Sequence, residues 1–187
     1  NLCIAVDGFS SEHPDRYAQD VLNTVLGEGM SSRLFLELRE KLGLAYDIHS
    51  YVNHFLDTGS QVVFAAVDTK KAGETIRAIL RELAKLRDGI PEDELNRAKE
   101  SMKGRLMLRM EDTRAVSSWT GAQELLRNTI LTVDEVVGLI EAVSGEDIRR
   151  VANQLFVREK LKLAIVGPYR SEGRFAIAPG LGLQLEA

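Results

Sequence analysis

Hydrophobic residues recur along this chain with two different spacings, and the order in which those spacings follow one another most constrains the fold. Short runs rich in β-branched and aromatic residues are typical of strands. Apolar residues three and four positions apart indicate amphipathic helices. The pattern runs strand, two helices, a strand pair, four or five helices and a final strand. This order predicts a two-layer α+β domain, with helices packed on one face of a mostly antiparallel sheet.

Turn and capping residues set the boundaries of these elements. Strands are expected over residues 1–8, 44–54, 59–67 and 160–166. Helices are expected over residues 16–26, from a cap at Ser31 or Ser32 to about Leu42, from Asp68 or Thr69 to Gly89, and onwards from Pro91, Thr113, Thr132 and Ser144. The last two of these begin with capping boxes, Thr132 with Glu135 and Ser144 with Asp147. Residues 169–187 are expected to be a loosely ordered tail.

The second predicted helix carries a buried stripe of Leu34, Leu38 and Leu42, with Phe35 beside it. An advance of about 100° per residue places Arg39 on the border of that stripe, on the side of Phe35. A side chain at this border can extend out of the core along its edge. Arg39 is therefore a candidate for a role at the surface.

Composition removes several function classes. The formal net charge is −4 and no long run of like charges occurs, so a nucleic-acid partner is not expected. The longest apolar run is the six residues Val62–Val67, far short of the roughly 20 that a bilayer-spanning helix needs.

The single cysteine, Cys3, cannot form an internal disulfide and is expected to be buried in a strand. Because the chain opens at Asn1 inside a predicted strand, we expect it to be part of a longer protein.

The histidines do not form a metal site in this sequence. His49 and His54 are five residues apart, which places them on opposite faces of a strand, so they cannot chelate one ion. His13, near Glu12 and Asp15, is expected to lie on the solvated surface. Neither HxxEH, its inverted form nor a GxSxG elbow occurs. The chain is therefore not expected to hold a catalytic zinc or a serine nucleophile.

One segment carries a specific resemblance. Residues 29–46, GMSSRLFLELREKLGLAY, are similar to the signature of the C-terminal half of the M16 metallopeptidases, the family of pitrilysin, insulinase and mitochondrial processing peptidase. The similarity continues through residues 86–89, 94–99 and 163–167, and covers residues 1–168 in all. The resemblance implies the LuxS/MPP-like metallohydrolase fold, with residues 1–168 as one M16 C-terminal domain.

The resemblance also implies that two domains supply different parts of the active site. In that family an N-terminal domain carries the zinc on an HxxEH motif, and the C-terminal domain closes over it and contributes an arginine and a tyrosine to the bound peptide. These two residues match Arg39 and Tyr46 here. The implied partners are a peptide or unfolded polypeptide substrate and an N-terminal M16 domain or partner subunit. The implied cofactor is zinc, bound outside this chain.

Two alternatives stay open at this point. From residue types and spacing alone, Arg39 can pair with a local acid and Tyr46 can pack across strands. The chain can also be a non-catalytic subunit that pairs with a separate zinc-bearing chain. An isolated domain is further expected to form homo-oligomers, because the surface facing its other half would expose apolar area.

Overall fold

The computed structural model of this chain describes residues 1–169. Its strands are β1 (Leu2–Gly8), β2 (Ala45–His54), β3 (Gly59–Val67) and β4 (Lys162–Ile165). Its α-helices are α1 (Arg16–Gly27), α2 (Ala72–Arg87), α3 (Glu92–Arg109), α4 (Thr113–Arg127), α5 (Val133–Ala142) and α6 (Gly145–Leu155). A π-helix spans Phe35–Lys41, and a 3₁₀ turn spans Arg158–Lys160. The predicted α+β architecture is confirmed.

The four strands form one sheet in the order β2-β3-β1-β4, and every neighbouring pair is antiparallel. Leu2 of β1 pairs with Ala65 of β3 on one side and with Ile165 of β4 on the other. The last strand of the domain therefore closes the sheet beside the first. β2 lies at the opposite edge.

One face of the sheet carries the core. Leu2, Ile4 and Val6 of β1 are buried on this face, because successive side chains of a strand point to opposite sides. Helix α1 packs on β2 and α6 packs on β1, while α2 packs on α6 and adds further buried apolar side chains to the core. Cys3 lies on the other face and is only half-buried, so the prediction of a buried Cys3 is wrong.

A buried polar network joins α1 to this sheet. The Phe9 N–H donates to Gln19 Oε1 at 2.9 Å, and Gln19 Nε2 donates to Gln61 Oε1 at 3.3 Å. Asn23 Oδ1 accepts from Gln61 Nε2 at 2.8 Å and from the Ser50 hydroxyl at 2.7 Å. Buried polar groups are tolerated when they find partners in this way, and the network fixes α1 against β2 and β3.

Both predicted capping boxes are present. The Thr132 hydroxyl accepts from the Glu135 N–H at 3.2 Å while the Glu135 carboxylate accepts from the Thr132 N–H at 2.7 Å. Ser144 and Asp147 form the same reciprocal pair at the start of α6. Hydrogen bonds from the Ser144 hydroxyl and N–H and from the Arg150 guanidinium lower the pKa of Asp147 to about 2.

Two other predicted caps are wrong. The Ser32 hydroxyl donates to the Gly29 carbonyl at 2.7 Å, and no side chain caps the π-helix. Asp68 Oδ1 accepts from the Lys70 N–H at 2.8 Å within a turn, and α2 begins later, at Ala72, without a side-chain cap. In both places a short polar side chain finds a nearer backbone partner in the turn before the helix.

Apart from Tyr169, the predicted tail of residues 169–187 lies outside the described residues. Among the helices of residues 1–169, none combines the length and the hydropathy that a membrane span requires.

Candidate functional site

The helix that carries Arg39 is wound as a π-helix over Phe35–Lys41 rather than as the expected α-helix. Its bonds reach one residue further, as in the 3.0 Å hydrogen bond from the Leu42 N–H to the Glu37 carbonyl. Each residue therefore advances less around the axis, and Leu42 does not return beneath Leu38. The prediction that Leu42 belongs to the buried stripe is wrong, because its side chain is 41% exposed while Leu34 and Leu38 are buried.

An ion pair fixes the start of this segment to α3. Arg33 donates from Nε and Nη2 to the two carboxylate oxygens of Glu94, at 2.8 and 2.6 Å. Both side chains are largely buried, and the hydrogen bonds that Arg33 donates to Glu94 raise the pKa of Arg33 above its usual value. Such a two-point pair sets orientation as well as distance. The backbone that leads to Arg39 is therefore held in place.

A left-handed glycine connects the π-helix to β2. Gly43 has φ +57°, a conformation that residues with a Cβ adopt at a cost. The Lys71 ammonium donates to the Gly43 carbonyl at 3.0 Å and so joins this turn to the start of α2. Leu44 and Ala45, directly after the glycine, are buried. The backbone after the turn is thus anchored in the core, and Leu38 anchors the π-helix before it.

Tyr46 lies on a β-bulge at the edge of the sheet. Ala45 pairs with Val67 and Asp47 with Ala66, so Tyr46 is the extra residue of β2. A bulge of this kind redirects a side chain, and the Tyr46 side chain is 85% exposed. This exposure gives no support to the alternative in which Tyr46 serves as a cross-strand packing residue.

The structure brings the two predicted site residues together. The guanidinium carbon of Arg39 lies 4.8 Å from the centroid of the Phe35 ring and 5.8 Å from that of the Tyr46 ring. Its nearest acid is Glu40, with Nε and Oε1 4.0 Å apart, a separation at which no hydrogen bond forms. Arg39 is therefore held by two aromatic faces rather than by a carboxylate.

This arrangement presents two kinds of donor on one open surface. The Arg39 side chain is 42% exposed, and its planar guanidinium offers several N–H groups to carbonyl or carboxylate oxygens. The Tyr46 hydroxyl adds a neutral donor at the end of an exposed side chain. Such a pair can bind peptide carbonyls and stabilise negative charge that develops on one of them.

The described residues do not fit a zinc ion. Residues 1–169 contain no cluster of three histidine, cysteine or carboxylate side chains that could hold a metal. His54 contacts Asp20 of α1 at 3.0 Å, whereas His49 lies beside Phe64 on the other face of the sheet, with ring centroids 5.1 Å apart. As expected from their spacing, the two histidines point apart.

His13 differs from its prediction. Its ring stacks on Phe9, with centroids 4.0 Å apart and planes 5° from parallel, and its Nδ1 accepts from the Asp15 N–H at 3.0 Å. The residue is half-buried, so it supports the loop before α1 instead of lying free on the surface. Sequence alone gave no signal for this contact, since it depends on how the loop folds back over Phe9.

The fold and site define a class of protein: an α+β domain that displays an arginine and a tyrosine at one end of its sheet, and whose described residues lack a metal-binding cluster. The family model described as the peptidase M16 inactive domain matches residues 1–102. This chain therefore belongs to that family, as the signature segment predicts.

Individual relatives agree with this assignment. The chain is 39% identical over 169 residues to YmxG, an uncharacterized zinc protease of Bacillus subtilis, covering 90% of this chain and 41% of that protein. A solved protease from Helicobacter pylori superposes with a TM-score of 0.75 at 25% identity, covering 87% of this chain and 40% of the other. The peptidase M16 inactive domain from Pseudomonas fluorescens shares the fold, with a TM-score of 0.78 at 21% identity, over 87% of this chain and 39% of that one. The chain spans about two fifths of the length of the curated relatives it matches.

Proposed function

We propose that this chain is the C-terminal half of a zinc-dependent endopeptidase, which closes over an N-terminal HxxEH domain and presents Arg39 and Tyr46 to the bound peptide. The observation that supports this role most is the pairing of the Arg39 guanidinium with the Tyr46 ring, 5.8 Å apart, on anchored backbone at an open surface. Membership of the M16 family and relatives named zinc proteases support the same proposal.

The two residues have different roles in the proposal. Arg39 donates charge-assisted hydrogen bonds to carbonyl oxygens of the substrate backbone and so contributes to binding. Tyr46 donates to the oxygen of the scissile carbonyl, which gains negative charge only as water attacks. An interaction that strengthens in this way lowers the barrier rather than the energy of the bound substrate.

The test compares this chain with the complete protein. The purified chain is expected neither to bind stoichiometric zinc tightly nor to cleave a quenched peptide. The complete protein, which includes the N-terminal half, is expected to cleave it in a chelator-sensitive way. Tight zinc binding or chelator-sensitive cleavage by this chain alone would overturn the assignment.

The complete protein also distinguishes this proposal from the alternative of a non-catalytic, M16-like subunit. An HxxEH motif about two hundred residues before Asn1, at the usual scale of one domain, supports the single-chain peptidase. If the complete protein lacks that motif and cleaves nothing until a second, zinc-bearing chain is added, the subunit function is correct. Homo-association of this chain stays a prediction, which sedimentation at high protein concentration decides.

A further inference from the structure

A cavity built from other elements than the Arg39 site is lined by three arginines. It has a volume of about 480 Å³ and lies among α1, α4, α5 and the end of α3. Arg16, Arg109 and Arg127 line it, together with the chain's single tryptophan, Trp119. This volume lies in the range of small-molecule sites, which typically combine apolar walls with a few convergent polar groups.

The three guanidinium groups do not have matching carboxylates. Arg16 donates to the Ser11 carbonyl at 2.8 Å and to the Tyr17 hydroxyl, both neutral acceptors. Within residues 1–169 no ion pair is formed by Arg109 or Arg127. Burial and the charge of Arg16 lower the pKa of Arg127. Tyr17 and Glu12 oppose this effect only in part, so Arg16 and Arg127 have been brought together without a paired carboxylate, an arrangement that an anion would relieve.

A buried amide supplies the independent observation. Gln123 lines the same cavity and is 7% exposed. Its Oε1 accepts from the Leu131 N–H at 3.2 Å, which fixes the orientation of the amide. Its Nε2 is buried and, among the described residues, has no acceptor. Buried donors without acceptors are rare in folded proteins and need an explanation.

We propose that this cavity binds a small organic anion, whose carboxylate or phosphate oxygens accept hydrogen bonds from Arg109, Arg127 and the Gln123 amide. Guanidinium groups bind planar or tetrahedral oxyanions through paired N–H donors. Trp119 provides an aromatic wall for the remainder of the ligand. The site shares no residue with the Arg39 and Tyr46 pair, so it stands or falls separately from the proposed peptidase function.

Trp119 makes binding directly measurable, because it is the only tryptophan of the chain. Citrate and ATP serve as the two probes, one offering carboxylates and the other phosphates with an aromatic ring. We expect a saturable change of Trp119 fluorescence with at least one of them, at constant ionic strength, with a dissociation constant below about 10 mM. Response to citrate alone identifies a carboxylate ligand, and response to ATP alone identifies a phosphate ligand.

Variants locate the binding. Arg109→Gln and Arg127→Gln are each expected to raise the dissociation constant about tenfold or more, which is the effect of losing one charge-assisted contact. Arg97→Gln is the matched control, since Arg97 lies on α3 in an exposed pair with Asp93. It should bind as the wild type does. The exposed Arg109 keeps the test available if Arg127→Gln fails to fold.

Gln123→Glu is the sharpest variant. Glutamate keeps an oxygen for the Leu131 N–H and places a second carboxylate oxygen where Nε2 now lies. It should therefore supply the anion itself, remove probe binding and leave the melting temperature at or above that of the wild type. The proposal is overturned if neither probe gives a saturable change, if potassium chloride reproduces it, if the arginine variants bind unchanged, or if Gln123→Glu melts well below the wild type.

Discussion

The guanidinium carbon of Arg39 lies 5.8 Å from the centroid of the Tyr46 ring, although the residues are seven positions apart and belong to different elements. A cation over an aromatic face contributes about 0.5–1 kcal/mol at an exposed site. That energy is small beside the anchoring of the backbone by Leu38 and Ala45, which are buried on either side of the turn at Gly43. The core therefore sets the distance between the two side chains, and the ring contact only refines it.

Tyr46→Phe in the complete protein is expected to lower kcat about a hundredfold or more, with little change of KM. It removes one hydroxyl donor and keeps the ring over which Arg39 lies. Loss of one donor to a developing oxyanion costs on the order of 3 kcal/mol in the transition state. Steady-state hydrolysis of a quenched peptide measures both constants.

Tyr51→Phe is the control for this change. Tyr51 lies on the same strand and its side chain is also exposed, at 41%, so its variant should keep both constants near those of the wild type. A wild-type kcat in Tyr46→Phe would end the catalytic assignment. A large fall in melting temperature with unchanged kinetics would instead make Tyr46 a structural residue.

Arg39→Ala is expected to raise KM as well as lower kcat, because a charged donor to the peptide backbone also binds the ground state. Its melting temperature should stay near that of the wild type, since Arg39 forms no hydrogen-bonded ion pair and is exposed. Arg97→Ala, which removes another exposed arginine, serves as the control. An equal rise of KM in both variants would show that bulk charge matters and position does not, and an unchanged KM in Arg39→Ala would end the binding role of Arg39.

Local signals allowed most of the fold to be predicted from the sequence. The capping boxes at Thr132 and Ser144 form because each needs only residues within one turn. The strand pair β2 and β3 likewise follows from two β-rich runs joined by a short turn. The sheet's two other pairings, β1 with β3 and β1 with β4, join Leu2 to Ala65 and to Ile165, and no local pattern specifies partners at those distances.

The site was only partly predictable, for a related physical reason. Winding of Phe35–Lys41 as a π-helix depends on what the segment is attached to, such as the Arg33 to Glu94 ion pair and the turn at Gly43. Regular α-helical spacing therefore misplaced Leu42, although it placed Arg39 correctly beside Phe35. The cavity around Gln123 combines residues of four helices and had no sequence signal.

Two glycine substitutions should change stability in opposite directions. A Cβ at Gly43 or at Gly104 would meet no atom within 4 Å, so neither substitution creates a clash. Gly43 has φ +57°, and alanine there should destabilise the fold by about 1–2 kcal/mol. Gly104 lies inside α3, and alanine there should stabilise it by about 0.5–1 kcal/mol. Urea unfolding of both variants measures the difference, and equal effects would contradict the left-handed turn before β2.

His54 lies between α1 and β2, and its contacts there should make the free energy of unfolding depend on pH. Its Nε2 lies 3.0 Å from Asp20 Oδ1 and its Nδ1 lies 2.7 Å from the Phe9 carbonyl oxygen. Both partners are acceptors, so only the protonated ring can donate to both. Burial and the charge of Arg16 lower the pKa of His54, but the two hydrogen bonds and the charge of Asp20 outweigh them, and the pKa is raised above its usual 6.5.

The direction of the effect follows from this raised pKa. A group that binds its proton more tightly in the folded state adds stability that is fully present below its unfolded pKa, near 6.5, and that disappears as pH rises through the folded value. His54→Gln should therefore cost more stability at about pH 5.5 than at about pH 8.5. His49→Gln is the matched control, because His49 lies on the opposite face of β2, and its Nδ1 is 3.5 Å from Asp47 Oδ1. Urea unfolding of the wild type and both variants at the two pH values gives the comparison. An equal loss in His54→Gln at both values would show that protonation of His54 adds no stability, and a larger loss at the higher pH would show that the fold holds the ring neutral.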